Sequence, residues 1–169
     1  MSNIPLWALT IAYWLHMLAT TVWIGGIATL VLLVLPVAKE KLAPLDYASL
    51  LESLKRRLDP LAWLSLAVLL GTGMFQMSAS PNYEGFLAIT NTWSKAIMVK
   101  HVLFLVVIAV SVYLTWFLIP TQRRQALLRA KGKDTPEAER IENRDIWLQR
   151  VNLILVILIL ALTALARAS

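Results

Sequence analysis

Four long apolar segments dominate the sequence and restrict its fold more than any other feature. They cover roughly residues 6–36, 59–79, 93–118 and 147–166. About 20 apolar residues cross the hydrocarbon core of a bilayer as an α-helix, so each segment is long enough to span a membrane. A chain in lipid must satisfy its own backbone hydrogen bonds, which also favours helices. The sequence therefore predicts an all-α fold: one integral membrane domain over residues 1–169, built as a bundle of four transmembrane helices.

The composition and the cysteine count limit the chemistry. The hydrophobic share is 59% and the charged share only 15%, whereas a soluble domain is about 45–50% apolar. The chain has no cysteine, which excludes disulfides, iron–sulfur clusters and thiolate metal sites. The first apolar segment has no basic stretch before it and no small-residue cleavage site after it, so we do not expect a cleavable signal peptide.

Basic residues are concentrated in two of the connections between the segments. The 80–92 connection and residues 1–5 contain none. By the positive-inside rule, both basic connections are cytoplasmic, and the N-terminus, the 80–92 connection and the C-terminus face outward. The formal net charge of +6 thus reflects topology in a bacterial-type inner membrane, with the lipid bilayer as partner, and does not indicate nucleic acid binding. The basic residues concerned are Lys39, Lys41, Lys55, Arg56, Arg57, Arg123, Arg124, Arg129, Lys131, Lys133, Arg140 and Arg144.

Prolines and capping residues predict where the helices begin and end. Pro36 is expected to end or bend the first helix, and Pro120 to close the third. Residues 44–58 have apolar residues at helical spacing opposite charges, which is typical of a helix lying along the inner membrane surface. Thr135 as N-cap and Pro136 at the first helical position predict that the fourth helix begins in the cytoplasm, well before it enters the membrane.

The two histidines of the chain both fall within predicted membrane segments. His16 lies about ten residues into the first helix and His101 about eight residues into the third, hence roughly 15 Å and 12 Å deep at 1.5 Å per residue. Both helices run from outside to inside, so the imidazoles are predicted to face each other across the bundle core. Trp23 and Gly26 share the His16 face, where small residues leave room for a flat ligand.

Two neutral imidazoles can bind haem iron axially, or they can bind copper. Haem b held by His16 and His101 would direct its propionates to the outer surface, where cations could pair with them. Those cations are Lys95, Lys100 and Arg167. Copper(I) also accepts thioether sulfur, and every methionine except the initiator lies in the outer half. These residues are Met17, Met74, Met77 and Met98.

The sequence also permits a purely structural role for the two histidines, and it does not favour other kinds of catalysis or transport. The histidines can simply hydrogen-bond neighbouring helices in a structural membrane subunit. No Ser–His–Asp set, P-loop or carboxylate pair is present. Asp59, at the inner edge of the second segment, is the one acidic residue in the four predicted membrane segments. Proton-coupled transporters usually carry such a group within the membrane, so the sequence does not favour secondary transport.

Three stretches point to a family: HMLATTVWIGG on the first helix, RLDPLAWLSLAVLLGTGMFQM on the second and WSKAIMVKHVL on the third. Within residues 10–118, they resemble the CopD copper-resistance membrane domain and the related four-helix HemJ-type protoporphyrinogen oxidases. HemJ-type proteins bind haem b and use a helix-one histidine and a helix-three lysine, which implies these roles for His16 and Lys100. CopD relatives are implicated in copper movement across the inner membrane.

His101 beside Lys100 favours ligation by two histidines, which saturates the iron and suits electron transfer. We therefore predict a CopD/HemJ-like membrane protein that binds haem b between His16 and His101. Its predicted role is electron transfer, alone or as a subunit of a redox complex, with quinone or other redox subunits as partners and a homo-oligomer compatible with the sequence. A copper(I)-binding or copper-transport protein is the first alternative, and a structural subunit without cofactor is the second.

Overall fold

The computed structural model describes residues 4–85, 89–133 and 136–168, and these residues are helical without any strand. Four stretches within them are long and apolar enough to cross a membrane: Leu6–Lys41, Leu45–Ser78, Thr92–Gln122 and Glu139–Ala168. The predicted all-α bundle of four membrane helices is therefore confirmed. The elements in chain order are α1 (Leu6–Thr29), a first π turn (Leu30–Val34), α2 (Leu35–Lys41), α3 (Pro44–Ser78), α4 (Thr92–Tyr113), a second π turn (Leu114–Leu118), α5 (Ile119–Ala130) and α6 (Pro136–Ala168).

The bundle consists of two helical hairpins packed side by side. Helix α1 packs along α3, and α4 packs along α6. A shared apolar core joins all four helices, with Val107 and Val156 completely buried. Large apolar side chains on the outward faces are exposed, as contact with the bilayer requires. The buried core residues are Ala19, Trp23, Leu66, Leu69, Val107, Val156 and Ile159.

Neither Pro36 nor Pro120 ends its helix. Each proline lies two residues after a π turn, and the helix continues beyond it. Proline removes a backbone donor and its ring clashes with the carbonyl four residues earlier. The π turn locally widens the helix and shifts its hydrogen-bond ladder, so both defects are absorbed. The prediction that Pro120 closes the third helix is wrong, because α5 continues to Ala130.

Residues 44–58 do not form a separate helix on the membrane surface. They are the first half of α3, which runs unbroken through Pro60. Tyr47 and Leu51 pack against α2 in a second buried cluster, and Lys55 is buried at the next position of the same stripe. The stripe that looked suited to a lipid surface is therefore used for packing inside the bundle.

Helix α6 begins at Pro136, well before the apolar segment, as the predicted extension of the fourth helix requires. Glu137 and Glu139 lie in its first turn, where carboxylates interact favourably with the helix dipole. The predicted N-cap, Thr135, lies outside the described residues.

Asn91 and Ser94 form a capping box that starts α4. The Ser94 N–H donates to Asn91 Oδ1 at 2.7 Å, and the Asn91 N–H donates to Ser94 Oγ at 3.1 Å. We expect Asn91→Ala to lower the free energy of unfolding by about 1 kcal/mol, because the Ser94 N–H loses its acceptor. Unfolding in detergent, followed by circular dichroism, measures the change. Asn91→Asp keeps the acceptor and serves as control; equal losses in both variants would contradict the cap.

Candidate functional site

A small cavity lies at the end of the bundle that the charge pattern predicts to face outward, between the end of α3, the connection that follows it and the start of α4. We call it the outer cavity. Its volume is about 20 Å³, which is room for one water-sized occupant. It is lined by Met77, Tyr83, Gly85, Trp93, Ser94, Ile97, Met98 and His101.

Three of the lining side chains are metal ligands in other proteins. Met77 is buried at the end of α3. Met98 and His101 are three residues apart on α4 and therefore lie on the same helix face. One imidazole and two thioethers from two helices thus share an ion-sized cavity, and none of the described carboxylates lines it. Neutral soft donors of this kind suit copper(I).

The ring of His101 has a defined tautomer. Its Nδ1 lies 2.7 Å from the carbonyl oxygen of Ile97, one turn earlier on the same helix. A carbonyl oxygen can only accept, so Nδ1 carries a proton and donates it. In the neutral ring the lone pair is then on Nε2. A hydrogen bond on the opposite nitrogen is also what orients metal-binding histidines.

His16 is held against α3. Its Nδ1 lies 2.8 Å from Thr72 Oγ1, and the Thr72 hydroxyl donates to the Val68 carbonyl at 2.6 Å. A hydroxyl has one hydrogen, so Thr72 must accept from His16, which fixes Nδ1–H as the donor. Gly73 lies beside the ring, and a Cβ at this position would make ordinary van der Waals contact with His16 Cε1, at 3.5 Å.

Thr72→Val tests the tautomer assigned to His16. The variant removes the acceptor of the Nδ1–H group, so we expect the Nδ1–H tautomer to dominate in the wild type and no longer to dominate in Thr72→Val. Nitrogen-15 NMR of labelled histidine distinguishes the two tautomers. Thr72→Ser keeps the hydroxyl and should leave the spectrum unchanged. A wild-type spectrum dominated by Nε2–H would contradict the assignment.

Positive charge gathers near His16. The charges of Lys100 and Arg167 both act on its ring, and the Arg167 guanidinium lies 4.5 Å from the centroid of the Tyr13 ring. Lys95, the third cation predicted for this region, is exposed. Like charges repel strongly in surroundings of low dielectric constant. The surroundings of His16 therefore disfavour a bound metal cation.

A π turn occurs in both the first and the third membrane helix and gives a common reference for the positions of the two histidines. Leu30 and Leu114, the first residues of the two π turns, are separated by the same number of residues as Pro36 and Pro120. The same separation relates His16 to Lys100. His101 is one position further along its helix. One residue rotates a side chain by about 100° around an α-helix. At nearly the same depth, His101 therefore has a different direction from that of His16.

A second cavity lies in the inner half of the bundle, and we call it the inner cavity. Its volume is about 100 Å³ and all four membrane helices contribute to its walls. Trp23 and Gly26 line it together with apolar residues. Its polar lining residues are Lys55, Asp59, Ser111, Thr115, Gln149 and Asn152.

Comparison with protein families decides what kind of protein this is. Residues 52–166 match the family model of CopD, described as copper resistance protein D. The chain belongs to the CopD family. It is a multi-pass membrane protein of the copper-resistance type. Comparison with curated proteins and with solved structures gives no significant match.

The CopD match includes some of the predicted metal ligands and leaves others out. It begins within α3 and includes every residue of the outer cavity, whereas α1 with His16 and Met17 lies before it. Met17 and Met74 are 62% and 46% exposed, so neither side chain lies inside the bundle. Of the methionines predicted as copper ligands, the fold brings Met77 and Met98 to His101.

The geometry of this CopD protein gives no support to haem b. Sites for drug-sized ligands occupy about 300–1,000 Å³, and the outer cavity that His101 lines is about 20 Å³. The His16 ring is packed against α3 and does not line that cavity. Electron transfer, for which the haem was invoked, is unsupported as well, and the redox partners and homo-oligomer stay predictions.

Sequence reasoning missed the buried polar residues of α6. Lys55 Nζ pairs with Asp145 Oδ1 at 2.9 Å, and the two side chains are only 5% and 1% exposed. The charge pattern of the sequence indicates only a cytoplasmic position for Lys55 and gives no role to Asp145. A signal was present: Asp145, Gln149 and Asn152 recur at i, i+4 and i+7, the spacing of one helix face, and all three are buried.

Proposed function

We propose that this CopD-family protein binds copper(I) in the outer cavity and moves it across the bacterial inner membrane. The ligands are the His101 imidazole and the thioethers of Met77 and Met98. The observation that carries the proposal is their convergence from α3 and α4 on one cavity with room for a single ion. Copper is the cargo here, and it enters from the outer side of the membrane.

The donor set explains the choice of ion. Thioether sulfur and imidazole nitrogen are soft or intermediate donors that select copper(I). Calcium and magnesium require several oxygen ligands, including carboxylates. Among the described residues, no group of three His, Asp or Glu side chains lies together as a metal site. Methionine therefore decides the selectivity.

The experiment loads the detergent-purified protein with copper(I) under anaerobic, reducing conditions and removes unbound metal by desalting. We expect about one copper ion per chain, as the single donor set implies, and a sulfur–nitrogen coordination shell in X-ray absorption. Met77→Leu/Met98→Leu should lose the metal. The matched control Met17→Leu/Met74→Leu changes the same two side-chain types at exposed positions and should retain it.

Two outcomes would refute this function. One is wild-type copper content in the Met77→Leu/Met98→Leu protein. The other is a Soret band that disappears in His16→Ala and in His101→Ala, in a protein that binds no copper, because this would restore the bis-histidine haem. A visible spectrum taken before metal loading tests the second outcome on the same sample.

A further inference from the structure

We propose that the inner cavity is a second ion site, which holds one singly charged cation with its water at Asp59 and Asn152. Two sources can supply such a cation: copper(I) that arrives from the outer cavity, or sodium and potassium from the cytoplasm. The copper source rests on the proposed function, whereas the site itself follows from the inner cavity alone.

The charged side chains around the inner cavity do not pair completely. Lys55 is occupied by its buried ion pair with Asp145. Both of these charges act on Asp59, whose carboxylate accepts a long hydrogen bond of 3.4 Å from Thr115. In the described part of the chain, Asp59 has no salt-bridge partner. With Asp59 ionised, two carboxylates and one ammonium leave one uncompensated negative charge, and a charge removed from water is stabilised by a partner of opposite sign.

The same cavity is lined by Asn152, whose side-chain oxygen is an unsatisfied hydrogen-bond acceptor within the described part of the chain. Asn152 is only 3% exposed and lines the inner cavity, and among the described residues no donor reaches its Oδ1. A buried acceptor without a donor is unfavourable unless water or an ion satisfies it. A volume of about 100 Å³ holds an ion and several waters. Asn152 is therefore evidence for an ion or water in the inner cavity that does not depend on the charge of Asp59.

The two cavities differ in the donor atoms of their lining residues. The inner cavity offers carboxylate, amide and hydroxyl oxygens, and its wall contains neither methionine nor histidine within the part of the chain that the structure describes. Such hard donors hold copper(I) weakly, so an ion that leaves the soft outer cavity can be released from here. Trp23 forms part of the inner cavity wall and meets Phe104 edge-on, with ring centroids 6.4 Å apart. This apolar contact belongs to the core that separates the two cavities.

The binding experiment compares thermal unfolding of the purified protein in sodium, potassium and choline chloride at equal ionic strength, and with copper(I) in choline chloride. We expect a higher melting temperature with the small cation that occupies the site, and loss of this shift in Asp59→Asn. Asp46→Asn, the same change at an exposed position of α3, should keep it. Asn152→Leu removes the unsatisfied acceptor and should also lose the shift, which keeps the test valid if Asp59→Asn misfolds.

The results separate the sources and the two proposals. A shift with sodium or potassium that needs Asp59 assigns the site to cytoplasmic cations. A shift with copper(I) alone assigns it to the transported ion, and proteoliposome uptake of radioactive copper should then fall about 10-fold or more in Asp59→Asn, as loss of a metal-site partner implies, with outer-cavity copper retained. No Asp59-dependent shift with any of these cations overturns the inner site. Failure of the wild type to bind copper overturns only the proposed function.

Discussion

Asp145→Ala is expected to lower the free energy of unfolding by about 3–5 kcal/mol, because it leaves the Lys55 ammonium buried without its partner. The two side chains are almost inaccessible and their nitrogen and oxygen lie 2.9 Å apart. The pair joins α3 to α6 and therefore connects the two hairpins of the bundle. Reversible unfolding in mixed micelles, followed by circular dichroism, gives the value.

The control is the double variant Lys55→Met/Asp145→Leu, which removes both charges together. Replacing a buried ion pair by apolar residues of similar volume is often neutral or stabilising, so the double variant should recover most of the stability lost by Asp145→Ala. Asp46→Ala, at an exposed position in the first turn of α3, should cost at most about 1 kcal/mol, the size of the favourable interaction of such a carboxylate with the helix dipole. If the double variant were as unstable as the single one, the loss would come from packing and not from the unpaired charge.

His101→Ala is expected to weaken copper(I) binding by at least about 100-fold, whereas His16→Ala should leave the affinity unchanged. Loss of a residue that merely orients a ligand costs up to about 100-fold in metal affinity, and His101 is proposed as a ligand itself. His16 is bonded to Thr72 and does not line the outer cavity. Competition with a chromophoric copper(I) chelator measures both affinities.

The comparison of the two histidines also tests the prediction made from the sequence. If His16→Ala and His101→Ala weakened copper binding equally, both imidazoles would bind the ion and the pairing across the bundle would be restored. His101→Met offers a further control, because it exchanges imidazole for a third thioether. That variant should keep part of the affinity, since thioether sulfur is also a copper(I) ligand.

The four membrane helices and their connection could be predicted from the sequence because they depend on long apolar segments. The same is true of the outer-half position of His101, Met77 and Met98, which follows from counting residues along each helix. The CopD resemblance was also visible in local motifs. Each of these properties depends on the sequence of a single helix or on the charges that flank it, so it can be predicted without knowledge of the contacts between helices.

The rotation of each helix could not be predicted in the same way. In lipid, apolar side chains facing the bilayer and apolar side chains facing another helix have similar surroundings, so hydropathy does not separate the two faces. Met17 and Met77 are equally apolar in the sequence, yet one is 62% exposed and the other 8%. His16 and His101 were expected to face each other because their depths match, and depth alone carries no direction around the helix axis.

The sequence by itself determined a four-helix CopD-family membrane protein with histidine and methionine residues in the half that is predicted to face outward. Only the tertiary structure decided which of these side chains meet in one cavity, and that Lys55 and Asp145 pair within the bundle. The physical reason is that secondary structure in a membrane follows from local hydrogen bonding and segment length. The partners of each side chain follow from the way in which small differences in packing rotate one helix against another.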